Sequence, residues 1–176
     1  MDDIRLVRVS EVYADQIAAY RDAFPADRPR VTASAERIPG LDHLEGFPSV
    51  HAWLAFCRSM AGKISWFLAF REVDGRLVGC SVLRHALAYD DDDAEFASHI
   101  GYSVRPDERR RGYAKELLRL TLAEADKLGL DRVRLVCVDT NTGSRKAILA
   151  NGGVYLDSIR GEESSFVVQR YDIALP

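Results

Sequence analysis

A run of arginines ending in a glycine is the segment of the sequence best suited to chemistry. Its residues are Arg109, Arg110, Arg111 and Gly112. The residues that follow, 112–129, have apolar side chains at spacings of three and four, which predicts an amphipathic helix. The first turn of a helix has free backbone N–H groups and the positive end of the helix dipole. Arginine and glycine suit a phosphate at that position, so we predict a diphosphate site. A solvated basic turn that caps the helix is the alternative.

Two titratable side chains precede this run on a predicted strand over residues 95–104. Alternate residues of a strand share a face, so Glu95 and His99 point to the same side. A carboxylate or an imidazole can take the proton that an amine must lose before it attacks a carbonyl. We expect Glu95 and His99 to be candidate general bases. The alternatives are an exposed strand end for Glu95 and a structural role for His99.

The elements that must position these residues follow from hydrophobic periodicity and turn signals. Strands are predicted over 4–9, 64–72, 76–87, 95–104, 133–138, 154–159 and 166–173, and helices after Ser10 and over 49–60, 112–129 and 144–151. The short strand 133–138 is apolar except at Arg134, which predicts a central position in the sheet. The order of elements indicates one mixed sheet with helices packed on it, in a single domain over residues 1–176.

Composition narrows the class of protein. The chain has 176 residues, a net charge of −3 and 47 % apolar residues, so nucleic acid is a poor candidate partner. Uninterrupted apolar runs stay well short of a membrane span, and the N-terminus has no signal peptide pattern. Three widely spaced cysteines indicate reduced thiols rather than disulfides. The four histidines show no metal-ligand spacing. We therefore expect a cytoplasmic protein without a metal or a membrane contact.

Three short motifs resemble those of the GNAT acetyltransferases. Arg109-x-x-Gly112-x-Ala114 is similar to the family's Arg/Gln-x-x-Gly-x-Gly/Ala signature, and the segment 101–106 resembles the family's splayed fourth strand. The segments 141–144 and 151–154 resemble the family's Asn-x-x-Ala/Ser and Gly-Phe region. The resemblance implies a single-domain α/β fold with a mixed, mostly antiparallel central sheet flanked by helices. It also implies acetyl-CoA as the co-substrate.

The resemblance assigns roles to individual residues. Main-chain groups of the predicted fourth strand would bind the pantetheine arm, and the loop after it would bind the pyrophosphate. The implied cofactor-binding residues are Tyr102, Val104, Arg109, Arg110, Arg111, Gly112, Tyr113, Ala114, Lys115, Asn141 and Ser144. For Asn141 a turn residue after a strand is the alternative.

The resemblance implies an N-acetyltransferase that moves an acetyl group to a primary amine by direct attack on the thioester. The acceptor would be a small molecule or a protein amine, bound by residues 20–60. The position at which many family members have a tyrosine acid is Ile148, which leaves the general acid open. The alternative is a non-catalytic acyl-CoA-binding sensor or accessory module. The acidic run 90–93 fits a solvated turn or an attractor of cationic amines, and strand edges near the C-terminus allow a homodimer.

Overall fold

The computed structural model describes residues 3–25, 38–87, 96–160 and 166–176. Glu95 and the acidic run 90–93 lie outside the described residues. The helices and strands are β1 (Ile4–Arg8), α1 (Ala14–Asp22), α2 (Val50–Ser59), β2 (Ile64–Arg71), β3 (Leu77–Arg84), β4 (Ile100–Val104), α3 (Tyr113–Lys127), β5 (Arg132–Val138), α4 (Thr142–Ala150), β6 (Val154–Ile159) and β7 (Val168–Ala174).

The strands form two antiparallel sheets rather than one. The first has the order β1-β2-β3-β4 and the second the order β5-β7-β6. The predicted α/β class, with mostly antiparallel strands flanked by helices, is confirmed. The central position predicted for the strand 133–138 is wrong, because β5 is an edge strand of its sheet. The apolar residues of β5 have another cause. Alternate side chains of β5 are buried on the face that the helices cover, and the unpaired edge of β5 lies near β4.

The predicted strand over residues 95–104 is shorter in the structure, and β4 begins at Ile100. The reason is visible at His99, whose main-chain N–H donates to the carbonyl of Arg134 in β5 at 2.8 Å. The chain is therefore bound to the second sheet just before it enters the β3–β4 ladder. His99 marks the point at which the two sheets meet.

Strands β2 and β3 are the centre of the first sheet and are buried on both faces. Helices α1 and α2 pack on one face of this sheet, and the core between them and the sheet includes Tyr20, Trp53 and Trp66. The opposite face carries α3, whose Leu117 and Leu118 are fully buried. The near-continuous apolar sequence of both strands has this cause, because a strand covered on two sides has no polar face.

The segment before α2 lies against the middle of β3. Gly40 has φ +97°, and a Cβ at this position would lie 2.5 Å from the carbonyl oxygen of Cys80. Both the backbone conformation and the space available therefore require glycine. This contact brings the α1–α2 region onto the face of β3 and β4 that carries Gly101 and Ser103.

We predict that Gly40→Ala lowers the free energy of unfolding by about 2 kcal/mol or more, from left-handed backbone strain and overpacking against β3. Gly62→Ala is the matched control, since a Cβ there meets nothing within 4 Å, and its effect should stay within about 0.5 kcal/mol. Urea denaturation of both variants measures the difference. A loss in Gly40→Ala no larger than in Gly62→Ala would contradict the close contact.

Candidate active site

The two sheets part immediately after their contact at His99. The main-chain bond from His99 to Arg134 is accompanied by a second bond, from the N–H of Arg134 to Nδ1 of His99, also at 2.8 Å. Beyond this pair β4 and β5 share no ladder, although each is paired on its other side. We call the space between residues 100–104 and residues 135–144 the β4–β5 gap.

The register of β4 turns part of its main chain toward this gap. Arg84 donates its N–H to His99, and Arg105 donates to Val78. Bonded pairs alternate along an antiparallel ladder, so the main-chain groups of Tyr102 and Val104 point away from β3. Tyr102 and Val104 are the two strand residues predicted to bind a pantetheine arm, and their main-chain orientation suits that role.

A side chain bridges the β4–β5 gap. The Tyr102 hydroxyl lies 2.8 Å from the hydroxyl oxygen of Ser144 and donates to its carbonyl at 3.3 Å. Ser144 belongs to the first turn of α4, the helix that follows β5. Burial raises the pKa of Tyr102 well above its usual range, so the hydroxyl keeps its proton at neutral pH. Two predicted site residues are thus brought together, one from each side.

The 109–114 loop has the backbone shape of an anion site. Arg110 has φ 65° and Gly112 has φ 89°, and Gly112 is the N-cap residue of α3. The main-chain N–H groups of Arg110, Arg111 and Gly112 donate to no acceptor within the described chain. Free N–H groups in such a turn, at the positive end of a helix, form a concave donor set for phosphate oxygens. These residues therefore fit the diphosphate of acetyl-CoA.

The three arginines of the loop are not equivalent. Arg109 donates from Nε to the carbonyl of Val104 at 3.3 Å, and its guanidinium lies 5.8 Å from the centre of the Phe24 ring. Arg111 forms an ion pair with Glu108 at 3.2 Å. Arg110 is exposed. Sequence reasoning missed Glu108, although an acidic residue directly before an arginine run was a signal for such a pair.

The buried residues at the start of α3 can offer a ligand mainly their backbone groups. Tyr113 is buried, and its hydroxyl accepts a hydrogen bond from Arg71 at 3.3 Å. Lys115 is exposed, and its carbonyl accepts a bond from the side-chain amide of Asn151. The side chain of Ala114 is small and partly buried against the core. The predicted cofactor contacts of Tyr113 and Ala114 are thus restricted to main-chain atoms or a methyl group.

Asn141 caps helix α4. Its side-chain oxygen accepts the N–H of Ser144 at 3.1 Å, which satisfies one of the free donors of the first turn. The cap accounts for the turn function considered for Asn141. Asn141 is exposed, and the cap uses only its side-chain oxygen, so its NH₂ group is not used by this bond.

His99 is buried at the junction of the sheets. Desolvation, assisted by the charge of Arg134, lowers the pKa of His99. Because Nδ1 accepts the N–H of Arg134, the neutral ring carries its proton on Nε2 and has no free lone pair. Nearby, a cleft of about 520 Å³ is lined by Leu87 and by charged residues of β5 and β7, among them the Arg134–Asp172 ion pair. No residue of the 109–114 loop lines this cleft.

Three large aromatic residues have structural roles in the core. Tyr20, Trp53 and Trp66 belong to the core on the α1–α2 face, and Tyr20 bonds to Ser103 of β4. Within the described residues there is no group of three or more His, Cys, Asp or Glu side chains that could hold a metal ion. None of the described helices has the length and apolar character needed to cross a membrane.

A family model described as the Acetyltransferase (GNAT) family matches residues 18–152. The chain belongs to the GNAT family. The match includes the 109–114 loop and α3, and it covers both sides of the β4–β5 gap, β4 on one side and β5 with the cap of α4 on the other. No curated protein matches the chain.

Solved structures share the GNAT fold at low sequence identity. The ribosomal-protein-S5-alanine acetyltransferase from Vibrio fischeri superimposes with a TM-score of 0.72 at 14 % identity, covering 99 % of this chain and 94 % of that one. The yncA protein from Salmonella typhimurium, solved with its cofactor acetyl-CoA, gives 0.68 at 10 % identity, covering 98 % and 94 %. An acetyl transferase from Salmonella typhimurium that modifies the N-terminal serine of ribosomal protein L7/L12 gives 0.67 at 12 % identity, covering 98 % and 95 %.

This GNAT chain departs from the expected pattern at Ile148. The side chain is fully buried in the core between α3 and the second sheet. It also contacts Gly153, where an added Cβ would lie 2.4 Å from Cγ2 of Ile148. A tyrosine at position 148 would not fit this packing without rearrangement, so the helix is built here for an apolar side chain.

We predict that His99 makes stability fall on acidification. Its pKa in the folded protein lies below the ordinary value of about 6.5. Below that pH the unfolded chain binds the proton more readily, so the free energy of unfolding decreases until the folded-state pKa is reached. His99→Asn keeps an acceptor for Arg134 and removes the titration.

Urea denaturation at pH 7.5 and pH 5.5 tests this expectation. The wild type should lose more stability between the two pH values than His99→Asn does. Equal losses in the two proteins would show that His99 does not couple folding to pH in this range.

Proposed function

We propose that the protein is an acetyl-CoA-dependent N-acetyltransferase that acts on a primary amine. The observation that carries the proposal is the pairing of a donor-lined 109–114 loop with main-chain groups of β4 that face an open gap. The solved neighbour with acetyl-CoA shares this fold, and the family match supports acetyl transfer.

Each part of the site has a chemical task in this proposal. The free N–H groups at Arg110, Arg111 and Gly112 bind the diphosphate, and Arg110 adds a positive charge there. Main-chain groups of Tyr102 and Val104 bind the pantetheine arm. The thioester is then held beside β4, where a main-chain N–H can polarise its carbonyl. The amine nitrogen forms a bond to the carbonyl carbon, the C–S bond breaks, and the thiolate takes a proton.

Deprotonation of the amine is proposed to involve Glu95 or His99. His99 could accept a proton at Nδ1 only by giving up its bond to Arg134. Glu95 precedes the described residues that lead into β4. The general acid is also open, because Ile148 is apolar. The Tyr102 hydroxyl, which bonds to Ser144 across the gap and keeps its proton, is a candidate.

The acceptor is proposed to be a small-molecule amine or the amine of a polypeptide. Neighbours that act on ribosomal proteins, including the one that modifies an N-terminal serine, support a polypeptide amine. A sensor that binds acyl-CoA without turnover is the second candidate. The buried Ile148 favours it, because the usual position of the acid is filled by an apolar side chain.

The proposal places the protein in the cytoplasm as a single domain over residues 1–176, without a nucleic acid or membrane partner. A homodimer is part of the proposal, and β6 supports it. This edge strand exposes Val154, Tyr155 and Leu156. An apolar strand edge of this kind suits pairing with another chain.

We predict that Gly112→Ala weakens acetyl-CoA binding at least about tenfold, equivalent to about 1.4 kcal/mol, because a Cβ at the N-cap obstructs the diphosphate. Gly129→Ala is the matched control. Gly129 also has a positive φ and follows the other end of α3, so its strain should cost a similar ~1 kcal/mol of stability without affecting affinity. Calorimetric titration measures both. If the two variants bind acetyl-CoA equally well, the diphosphate does not lie at Gly112.

We predict thiol release from acetyl-CoA when the protein is given a panel of small amines and peptides with free N-termini. Glu95→Gln or His99→Asn should lower kcat by about 10²-fold or more and remove the acidic limb of the pH profile, whichever residue is the base. The other variant should retain turnover. Tight binding of acetyl-CoA with no thiol release from any amine would favour the sensor.

A further inference from the structure

A buried carboxylate lies directly beneath the predicted pyrophosphate loop. Glu108 is 2 % exposed, and three guanidinium groups surround it. Arg71 of β2 donates to Oε2 at 2.9 Å, Arg76 lies 3.2 Å from Oε1, and Arg111 lies 3.2 Å from Oε2. A buried carboxylate is stable only when it is paired and hydrogen-bonded in this way.

Two of the three arginines around Glu108, Arg71 and Arg76, are also held by other carboxylates. Asp74 binds Arg71 through both oxygens, at 2.9 Å and 2.6 Å, and this bond lowers the pKa of Asp74 to about 2. Asp107 binds Arg76 and Arg105. Alternating charges thus fix the β2–β3 hairpin to the segment before the loop, and they hold Glu108 in its position.

Glu108 is linked to the loop at two positions, directly to Arg111 and through Arg71 to Tyr113. Its ion pair with Arg111 spans the turn at Arg110, the residue with φ 65°. The same nitrogen of Arg71 that binds Glu108 also donates to the Tyr113 hydroxyl at the start of α3. Two anchors of the loop therefore depend on Glu108, directly at Arg111 and through Arg71 at Tyr113, and the residues with free N–H groups include or adjoin them.

We infer that Glu108 is a positioning residue that sets the 109–114 loop for a diphosphate; this inference rests on the proposed function. Removing its charge has two opposing effects. Arg111 is released and could move toward an anionic ligand, but it is 55 % exposed and its attraction is screened by water. The loss of the two anchors affects main-chain donors that must converge on one ligand, and this effect dominates because preorganisation of donors determines their strength.

The test compares two ligands that share the acetylated pantetheine arm, of which only acetyl-CoA also carries the diphosphate and the phosphorylated adenosine attached to it. Glu108→Gln should bind acetyl-CoA about tenfold more weakly than the wild type, on the scale of other supporting-residue losses. Acetyl-pantetheine, which lacks the diphosphate, should bind both proteins equally. Direct calorimetry serves for acetyl-CoA, and displacement of a competing ligand serves for the weaker acetyl-pantetheine. Asp157→Asn is the matched control, because it removes a carboxylate from an ion pair with Arg170 in the second sheet.

A purely structural role for Glu108 would weaken both ligands by the same factor or neither, and either result overturns the inference. Thermal melting establishes that the variants are folded. If Glu108→Gln does not fold, Arg76→Gln removes a half-exposed partner of the same carboxylate and should show the same selectivity for acetyl-CoA. Failure of the wild type to bind acetyl-CoA would instead reject the proposed function itself.

Discussion

Among the described residues, the hydrogen bonds between His99 and Arg134 connect two sheets whose strands form no ladder with each other. If β5 continued to pair with β4, the main-chain groups of Tyr102 and Val104 would be satisfied within the sheet. Because the strands separate, those groups point away from β3 toward the β4–β5 gap and form no ladder with β5. Unpaired main-chain donors and acceptors are costly when buried, so a site of this kind suits a ligand rich in amides.

The remaining parts of the site are placed by this separation. Helix α3 crosses the first sheet and presents its N-terminus at the end of β4, and α4 begins where β5 ends. Tyr102 and Ser144 meet across the space between them. The 109–114 loop, the edge of β4 and helix α4 therefore converge, and none of their side chains has unusual chemistry. Backbone geometry provides most of the proposed binding, and arginine side chains provide the charge.

The sequence predicted the helices and most strands closely, because amphipathic and apolar periodicities have a direct cause in burial. The loop before α3 was predicted as a diphosphate site, and its positive φ values at Arg110 and Gly112 fit that prediction. The division into two sheets was not predictable, because periodicity reports which face is buried and says nothing about which strand is the neighbour. The apolar run of β5 therefore suggested a central strand.

Side-chain partnerships were equally hidden from the sequence. Three adjacent arginines looked alike, yet Arg109 contacts an aromatic ring and a carbonyl, Arg111 pairs with Glu108, and Arg110 pairs with no residue in the described part of the chain. The carboxylate that Arg111 binds is also bound by Arg71 and Arg76, which lie more than thirty positions earlier in the chain. His99 looked like a proton acceptor by its position on a strand, and only the three-dimensional contact with Arg134 shows that its lone pair is occupied.

Each strand ladder of the described residues lies within one part of the chain: strands between residues 4 and 104 form the first sheet, and strands between residues 132 and 174 form the second. The β4–β5 gap belongs to neither part alone and exists only while the two are docked. A ligand that binds in the gap must therefore stabilise the docked arrangement by mass action. If acetyl-CoA binds there as proposed, it would also stabilise the docking of the first sheet against the second.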